Sequence, residues 1–66
     1  MPEPARILEQ LPNALYKIEL ESGKRPRLVA HLDAGADLVR VRPGDTVMVE
    51  ILPLDASRAR IVGKRD

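Results

Sequence analysis

The 66-residue sequence contains no cysteine, phenylalanine or tryptophan, and Tyr16 is its one aromatic residue. Without cysteine it has neither disulfides nor thiolate metal ligands, which small secreted domains commonly use for stability. We therefore expect a reducing, cytoplasmic location. The sequence also lacks an apolar run of about 18 residues and a basic segment followed by an apolar stretch at its start. These two absences predict no membrane span and no export signal.

The net charge is also small, since 11 basic and 10 acidic residues leave a net charge of +1. Nineteen residues are Leu, Ile or Val, which is too apolar for a disordered chain and predicts one folded domain over residues 1–66. A chain of this length buries about 60% of its unfolded surface and has no room for a deep cleft. With one histidine and two serines it offers no catalytic set. We predict a non-enzymatic protein without metal or cofactor.

Short segments with alternating apolar and polar residues predict five β-strands. The predicted strands span residues 6–11, 15–20, 27–32, 46–51 and about 58–62, and residues 1–5 are predicted to be a loose N-terminal arm. Proline, glycine and asparagine mark the turns, including a loop built from Pro53, Asp55 and Ser57. Residues 33–42 leave space for at most one short helical turn. Five short antiparallel strands favour a small all-β closed barrel, because closure removes exposed strand edges.

The alternation also predicts which side chains form the core. In the second strand Tyr16 shares a face with Ile18 and Leu20, so we expect a buried ring. In the last strand Ala59 and Ile61 are expected to point inward, with the arginines between them outward. His31 falls on the strand face opposite its apolar neighbours. Its position is compatible with a binding role and equally with a solvated side chain that has no role.

Basic residues are clustered along the chain, whereas acidic residues are spread. The clusters are Arg58, Arg60, Lys64 and Arg65, then Lys24, Arg25 and Arg27, then Arg40 and Arg42. Alternate residues of a strand point the same way about 6.6 to 6.8 Å apart, so Arg58 and Arg60 could each contact a different phosphate. A solvated strand face is the alternative interpretation of any one pair. Because a single aromatic residue provides no stacking platform, the pattern favours binding of RNA or DNA as a preformed, structured surface, by shape and phosphate contacts.

Several motifs resemble the bacterial translation initiation factor one family over nearly the whole chain. They are ILEQLPNALYKIELESG from Ile7, Ala30-His31, VRVRPGDTVMVE from Val39, Pro53-Leu54-Asp55 and SRARIV from Ser57. The resemblance implies a five-stranded OB-fold, a Greek-key closed barrel. It also implies binding to the aminoacyl-tRNA site of the small ribosomal subunit. The implied partners are ribosomal RNA, a neighbouring ribosomal protein and the other initiation factors, and we expect the chain to be a monomer.

Carried over position by position, the resemblance makes Arg40, Arg58, Arg60 and His31 RNA-facing residues. It matches Lys17 and Lys64 to basic positions of the family. Arg42 and Arg65 join the predicted RNA-binding set for their charge alone. Two alternatives stay open, namely a small RNA-binding or RNA-chaperone barrel without a ribosomal role, and a protein-interaction module that uses the barrel edge. Steep salt dependence of binding would distinguish RNA binding from a mainly apolar protein interface.

Overall fold

The alternating segments form five β-strands in the computed structural model, which describes residues 1–32 and 41–64. The strands are β1 (Glu3–Leu11), β2 (Leu15–Leu20), β3 (Arg27–Leu32), β4 (Thr46–Leu52) and β5 (Asp55–Lys64). They are hydrogen-bonded in the order β1-β2-β3-β5-β4, and β4 pairs with β1 to close the barrel. The chain therefore forms an all-β, five-stranded closed barrel with the strand order of an OB-fold, as the sequence predicts.

The described residues contain no helix, and hence none with the length and hydropathy that crossing a membrane requires. The expected helical turn falls within residues 33–42, of which residues 33–40 lie outside the described residues. The helical turn therefore stays a prediction. The strand boundaries on either side of it agree with the sequence-based ones to within a residue.

One strand pair departs from the expected antiparallel arrangement. The pairs β1–β2, β2–β3, β1–β4 and β4–β5 are antiparallel, but β3 and β5 run parallel. A closed ring of five strands cannot alternate direction all the way round, because five is an odd number. At least one pair must therefore be parallel. Here it is the β3–β5 pair, which places the last strand of the chain beside the third.

The first strand begins earlier than predicted, and the expectation of a loose arm over residues 1–5 is wrong for Glu3 to Ala5. Pro4 pairs with Met48 of β4, and Ala5 is fully buried opposite Val47. The prolines at the start suggest irregular chain, yet proline is tolerated where a strand does not need its N–H group. These residues form the β1–β4 contact that closes the barrel.

A bulge at Leu8 lets β1 pair with both β2 and β4. The register with β2 shifts between Ile7 and Glu9, so one extra residue of β1 bends the strand. At this bend the Ile7 N–H group donates to the Asp45 carbonyl oxygen at 2.9 Å, and the Gly44 N–H group donates to the Ile7 carbonyl oxygen at 2.8 Å. The turn before β4 is thereby attached to the middle of β1. Gly44 has a positive φ of 95°, which favours glycine in such a turn.

The core is one cluster of side chains that point into the barrel. It contains Ala5, Ile7, Tyr16, Ile18, Leu20, Leu28, Ala30, Val41, Val47, Val49, Ala59 and Ile61. Tyr16 is 6% exposed, which confirms that the ring is structural. Ala59 and Ile61 are fully buried, which confirms the predicted orientation of the last strand. Burying each large apolar side chain contributes roughly 1.5 to 3 kcal/mol to folding.

The last strand is longer than predicted, spanning ten residues where the sequence indicates about five. Pro53 lies in the turn as predicted, but the expected loop is wrong for Asp55 and Ser57, because Leu52 already pairs with Asp55 across this tight turn. Asp55 Oδ1 accepts hydrogen bonds from the Ser57 N–H group at 3.1 Å and from the Ser57 hydroxyl at 2.6 Å. Such local bonds from an Asp side chain to a backbone N–H group and a nearby hydroxyl are typical of loops, but here they lie at the start of a strand.

Replacing Tyr16 tests the register of β2. We expect Tyr16→Ala to lower the free energy of unfolding by about 3 kcal/mol or more, because it removes a large buried ring from a small core. Leu15→Ala removes a half-buried side chain from the outer face of the same strand, and we expect a loss below about 1 kcal/mol. Urea denaturation of both variants measures the difference. Equal losses would show that the two faces of β2 have been assigned wrongly.

Candidate nucleic-acid interface

The outer face of β2, β3 and β5 carries four of the predicted RNA-binding residues, because these strands are neighbours in the barrel. Residues paired across adjacent strands point to the same side of the sheet, so the register sorts them into rows. One row is Lys17, Val29 and Arg58, and the next is Leu15, His31 and Arg60. We call Lys17, His31, Arg58 and Arg60 the basic face.

His31 lies in the middle of its row, between Leu15 on β2 and Arg60 on β5. Its neighbours along the strand, Leu28 and Ala30, are buried, whereas His31 is half-buried on the opposite side. The orientation predicted from alternation is therefore correct. The imidazole is positioned beside a guanidinium on the barrel surface, where it could contact a base or a phosphate. Its contact with RNA stays a prediction.

Arg60 forms the tightest ion pair on this surface, with Glu50 of β4. Arg60 Nη2 lies 2.7 Å from Glu50 Oε1, and Arg60 Nε donates to the same oxygen at 3.1 Å. The two residues are directly paired across β4 and β5, so strand register holds them together. The side chains of Arg60 and Glu50 are 45% and 34% exposed, so water and salt weaken this pair. A carboxylate therefore offsets part of the positive charge of Arg60.

Lys17 is paired more loosely, with Glu9 of β1. Lys17 Nζ lies 3.8 Å from Glu9 Oε1, and the side chains are 45% and 60% exposed. An exposed pair at this distance contributes about 0.2 to 1 kcal/mol and is screened by salt. The ammonium group of Lys17 can therefore exchange this carboxylate for a phosphate at little cost.

Lys64 and Arg42 form a separate group around Asp45, away from the rows of the basic face. Lys64 Nζ lies 3.4 Å from Asp45 Oδ2, and the same oxygen accepts the Arg42 backbone N–H group at 2.9 Å. The Arg42 side chain is exposed. The eight predicted residues thus divide into the basic face, this second group, and Arg40 and Arg65, which lie outside the described residues.

Two carboxylates near these cations have lowered pKa values. The hydrogen bond from the Arg42 backbone N–H group is the largest cause of the lowered pKa of Asp45, and the charges of Lys64 and Arg42 lower it further. The hydroxyl and N–H groups of Ser57 lower the pKa of Asp55, with a smaller contribution from the charge of Arg58. Both carboxylates therefore stay ionised at neutral pH, where Asp45 keeps Lys64 paired.

Arg58 differs from the other cations of the basic face. Its side chain is half-buried, and its Nε atom is shielded from solvent without a hydrogen-bond partner in the described structure. It lines a shallow groove of about 230 Å³ together with Lys17, Arg27, Leu28, Val29 and Ser57. This groove lies within the basic face, on the side away from Arg60.

Two features of this surface are missed by the sequence-based prediction. The first is Arg27, which lines the groove although the predicted RNA-binding set omits it. Arg27 lies two residues before Val29 on β3, and alternate residues of a strand share a face. This spacing was the signal that could have placed Arg27 in the groove. The second is the pairing of basic residues with acids from other strands. Only the strand register brings Glu9 to Lys17 and Glu50 to Arg60.

The described residues contain no group of three or more His, Asp or Glu side chains able to hold a metal ion. What the arrangement offers is a set of exposed and half-buried cations on a sheet, which suits the binding of anions. A comparison of the chain with models of known protein families found no match.

Replacing Asp45 tests the second basic group. Asp45→Asn keeps an oxygen for the Arg42 N–H group but removes the charge that faces Lys64. The pKa of Asp45 is lowered from its ordinary value of 3.8, so its charge stabilises the fold above about that pH. That contribution disappears as the pH falls through the lower value of the folded state. We expect Asp45→Asn to be less stable than the wild type at neutral pH and equally stable in strong acid.

Urea denaturation at a series of pH values measures this difference. Glu9→Gln, which removes a carboxylate from an exposed pair, is the matched control and should have a smaller effect at neutral pH. A stability difference for Asp45→Asn that is constant from neutral to strongly acid pH would contradict the assigned role of its charge.

Proposed function

We propose that this chain is a translation initiation factor that binds the aminoacyl-tRNA site of the small ribosomal subunit. In this proposal it contacts ribosomal RNA and a neighbouring ribosomal protein, acts beside other initiation factors, and catalyses no reaction. The observation that carries the proposal is the basic face. OB-fold barrels bind oligonucleotides on the surface of strands 2 and 3, and Lys17 and His31 lie on these strands with Arg58 and Arg60 beside them. The resemblance of the sequence motifs to the initiation factor family supports the small ribosomal subunit as the target.

The kind of contact follows from the residues that the surface provides. Barrels that bind single strands without sequence preference stack bases on exposed aromatic rings. Here the one aromatic ring, Tyr16, is in the core, so stacking on it is excluded. The remaining means of binding are phosphate contacts and shape, which suit a folded RNA whose phosphates are already in place.

The proposal is tested by co-sedimentation with purified small ribosomal subunits. We expect Arg58→Ala and Arg60→Ala each to weaken binding, and the double variant to weaken it further. The slope of log affinity against log salt should become shallower by about 0.7 to 0.9 for each phosphate that a variant no longer binds. Arg6→Ala, an exposed arginine on β1, is the matched control and should bind like the wild type.

The same measurements separate the alternatives. If free RNA competes as well as small subunits do, the chain is a general RNA-binding barrel rather than an initiation factor. If binding to subunits changes little with salt, the chain recognises a protein surface. An unchanged affinity and an unchanged salt slope for the double variant would exclude the basic face as the binding surface.

A further inference from the structure

The groove beside Arg58 combines apolar and basic lining residues. Leu28 and Val29 of β3 line it together with the cations Lys17, Arg27 and Arg58. Val29 is paired with Lys17 on one side and with Arg58 on the other. Neighbouring strands lie about 4.8 Å apart, so the backbones of Lys17 and Arg58 are about 10 Å apart. Two long cationic side chains can therefore reach the same small anion above Val29.

Arg27 adds a third positive charge to the same groove. It lies two residues before Val29 on β3, so its side chain projects from the same side of the sheet. Arg27 Nε lies 3.6 Å from Glu19 Oε2, and its side chain is 69% exposed. This distance exceeds that of a good hydrogen bond, and the pair is open to water. Arg27 therefore remains available for a stronger anionic partner.

Arg58 carries a donor that the described structure leaves unpaired. Its Nε atom is shielded from water and has no acceptor, whereas the corresponding Nε of Arg60 donates to Glu50. A buried polar group without a partner is unfavourable and uncommon in folded proteins. An acceptor oxygen in the groove would satisfy this donor. The carboxylate nearest in sequence, on Asp55, instead accepts the hydroxyl and N–H groups of Ser57.

We propose that this groove is a phosphate-binding subsite, in which Arg58, Lys17 and Arg27 bind one phosphate of an RNA backbone. A phosphate dianion has several acceptor oxygens, and a backbone phosphodiester still offers two that can accept from different cations. The inference rests on the proposed function and adds the place where the backbone is bound. A free phosphate has the same binding chemistry, so the experiment compares the two sources directly.

The first measurement follows the arginine Nε–H signals of the ¹⁵N-labelled protein by NMR. We add a short RNA hairpin oligonucleotide in one series and inorganic phosphate in another. The oligonucleotide should shift the Arg58 Nε–H signal saturably, together with the backbone amide signals of Val29 and Ser57. The Arg6 signal is the internal control and should move little. Inorganic phosphate should cause the same shifts only at much higher concentration.

The second measurement places a charge in the groove. Val29→Glu sets a carboxylate between Lys17 and Arg58, and we expect it to weaken oligonucleotide binding about tenfold or more. Val29→Gln has the same size without the charge and should retain most of the affinity. Val62→Glu adds the same charge to another half-buried position, on β5, and should weaken binding much less. Thermal melts establish that each variant is folded.

If Val29→Glu does not fold, Arg27→Gln provides the same test at an exposed position, with an expected loss of about threefold or more. The inference is wrong if the Arg58 Nε–H signal does not move on addition of the oligonucleotide, or if Val29→Glu and Val29→Gln bind equally well. Equal affinity for inorganic phosphate and for the oligonucleotide would overturn the assignment to an RNA backbone.

Binding of the same variants to purified small subunits separates this inference from the proposed function. If Arg60→Ala weakens subunit binding but Val29→Glu does not, the groove is not a subsite and the proposed function stands. If the oligonucleotide shifts the Arg58 signal but the wild type does not bind subunits, the subsite stands and the proposed function is wrong.

Discussion

The parallel pairing of β3 with β5 is the contact on which both the barrel and the candidate interface depend. It is the one parallel pair in a ring of five strands that cannot alternate in direction throughout, and it places Arg58 and Arg60 beside Val29 and His31. The buried partners of the same pairing, Ala30 and Ala59, lie directly beneath this surface and are fully buried. Small side chains at both positions leave room inside the narrow barrel for the larger core side chains.

Charge pairing divides the basic surface into parts with different properties. Arg60 is held by Glu50, and Lys64 by Asp45, so register and loop geometry offset these charges within the protein. Lys17 and Arg27 are in looser, more exposed pairs. Arg58 has a shielded Nε donor without an acceptor. A ligand phosphate therefore gains most binding free energy in the groove around Arg58. It gains less at Arg60 unless it displaces the Glu50 carboxylate.

The predictions that succeeded depend on local pattern. The bounds of β2 and β3 agree with the alternation of residues, and the burial of Tyr16 follows from its spacing to Ile18. The predictions that failed concern residues whose local signals mislead. Pro4 suggests irregular chain and Asp55 suggests a loop, yet both belong to strands. In each case pairing with β4 supplies the hydrogen bonds that the local sequence does not suggest.

The sequence by itself determined five strands and their inward faces, because alternation of side chains is a property of each strand alone. It also indicated a closed barrel, because closure removes the exposed edges of five short strands. It also identified the cations of the basic face. Only the tertiary structure decided which acid faces each cation, and that Arg27 and Arg58 share a groove with Val29 between their strands. These relations depend on the register between strands distant in the chain. A shift of one residue would turn every side chain to the other face.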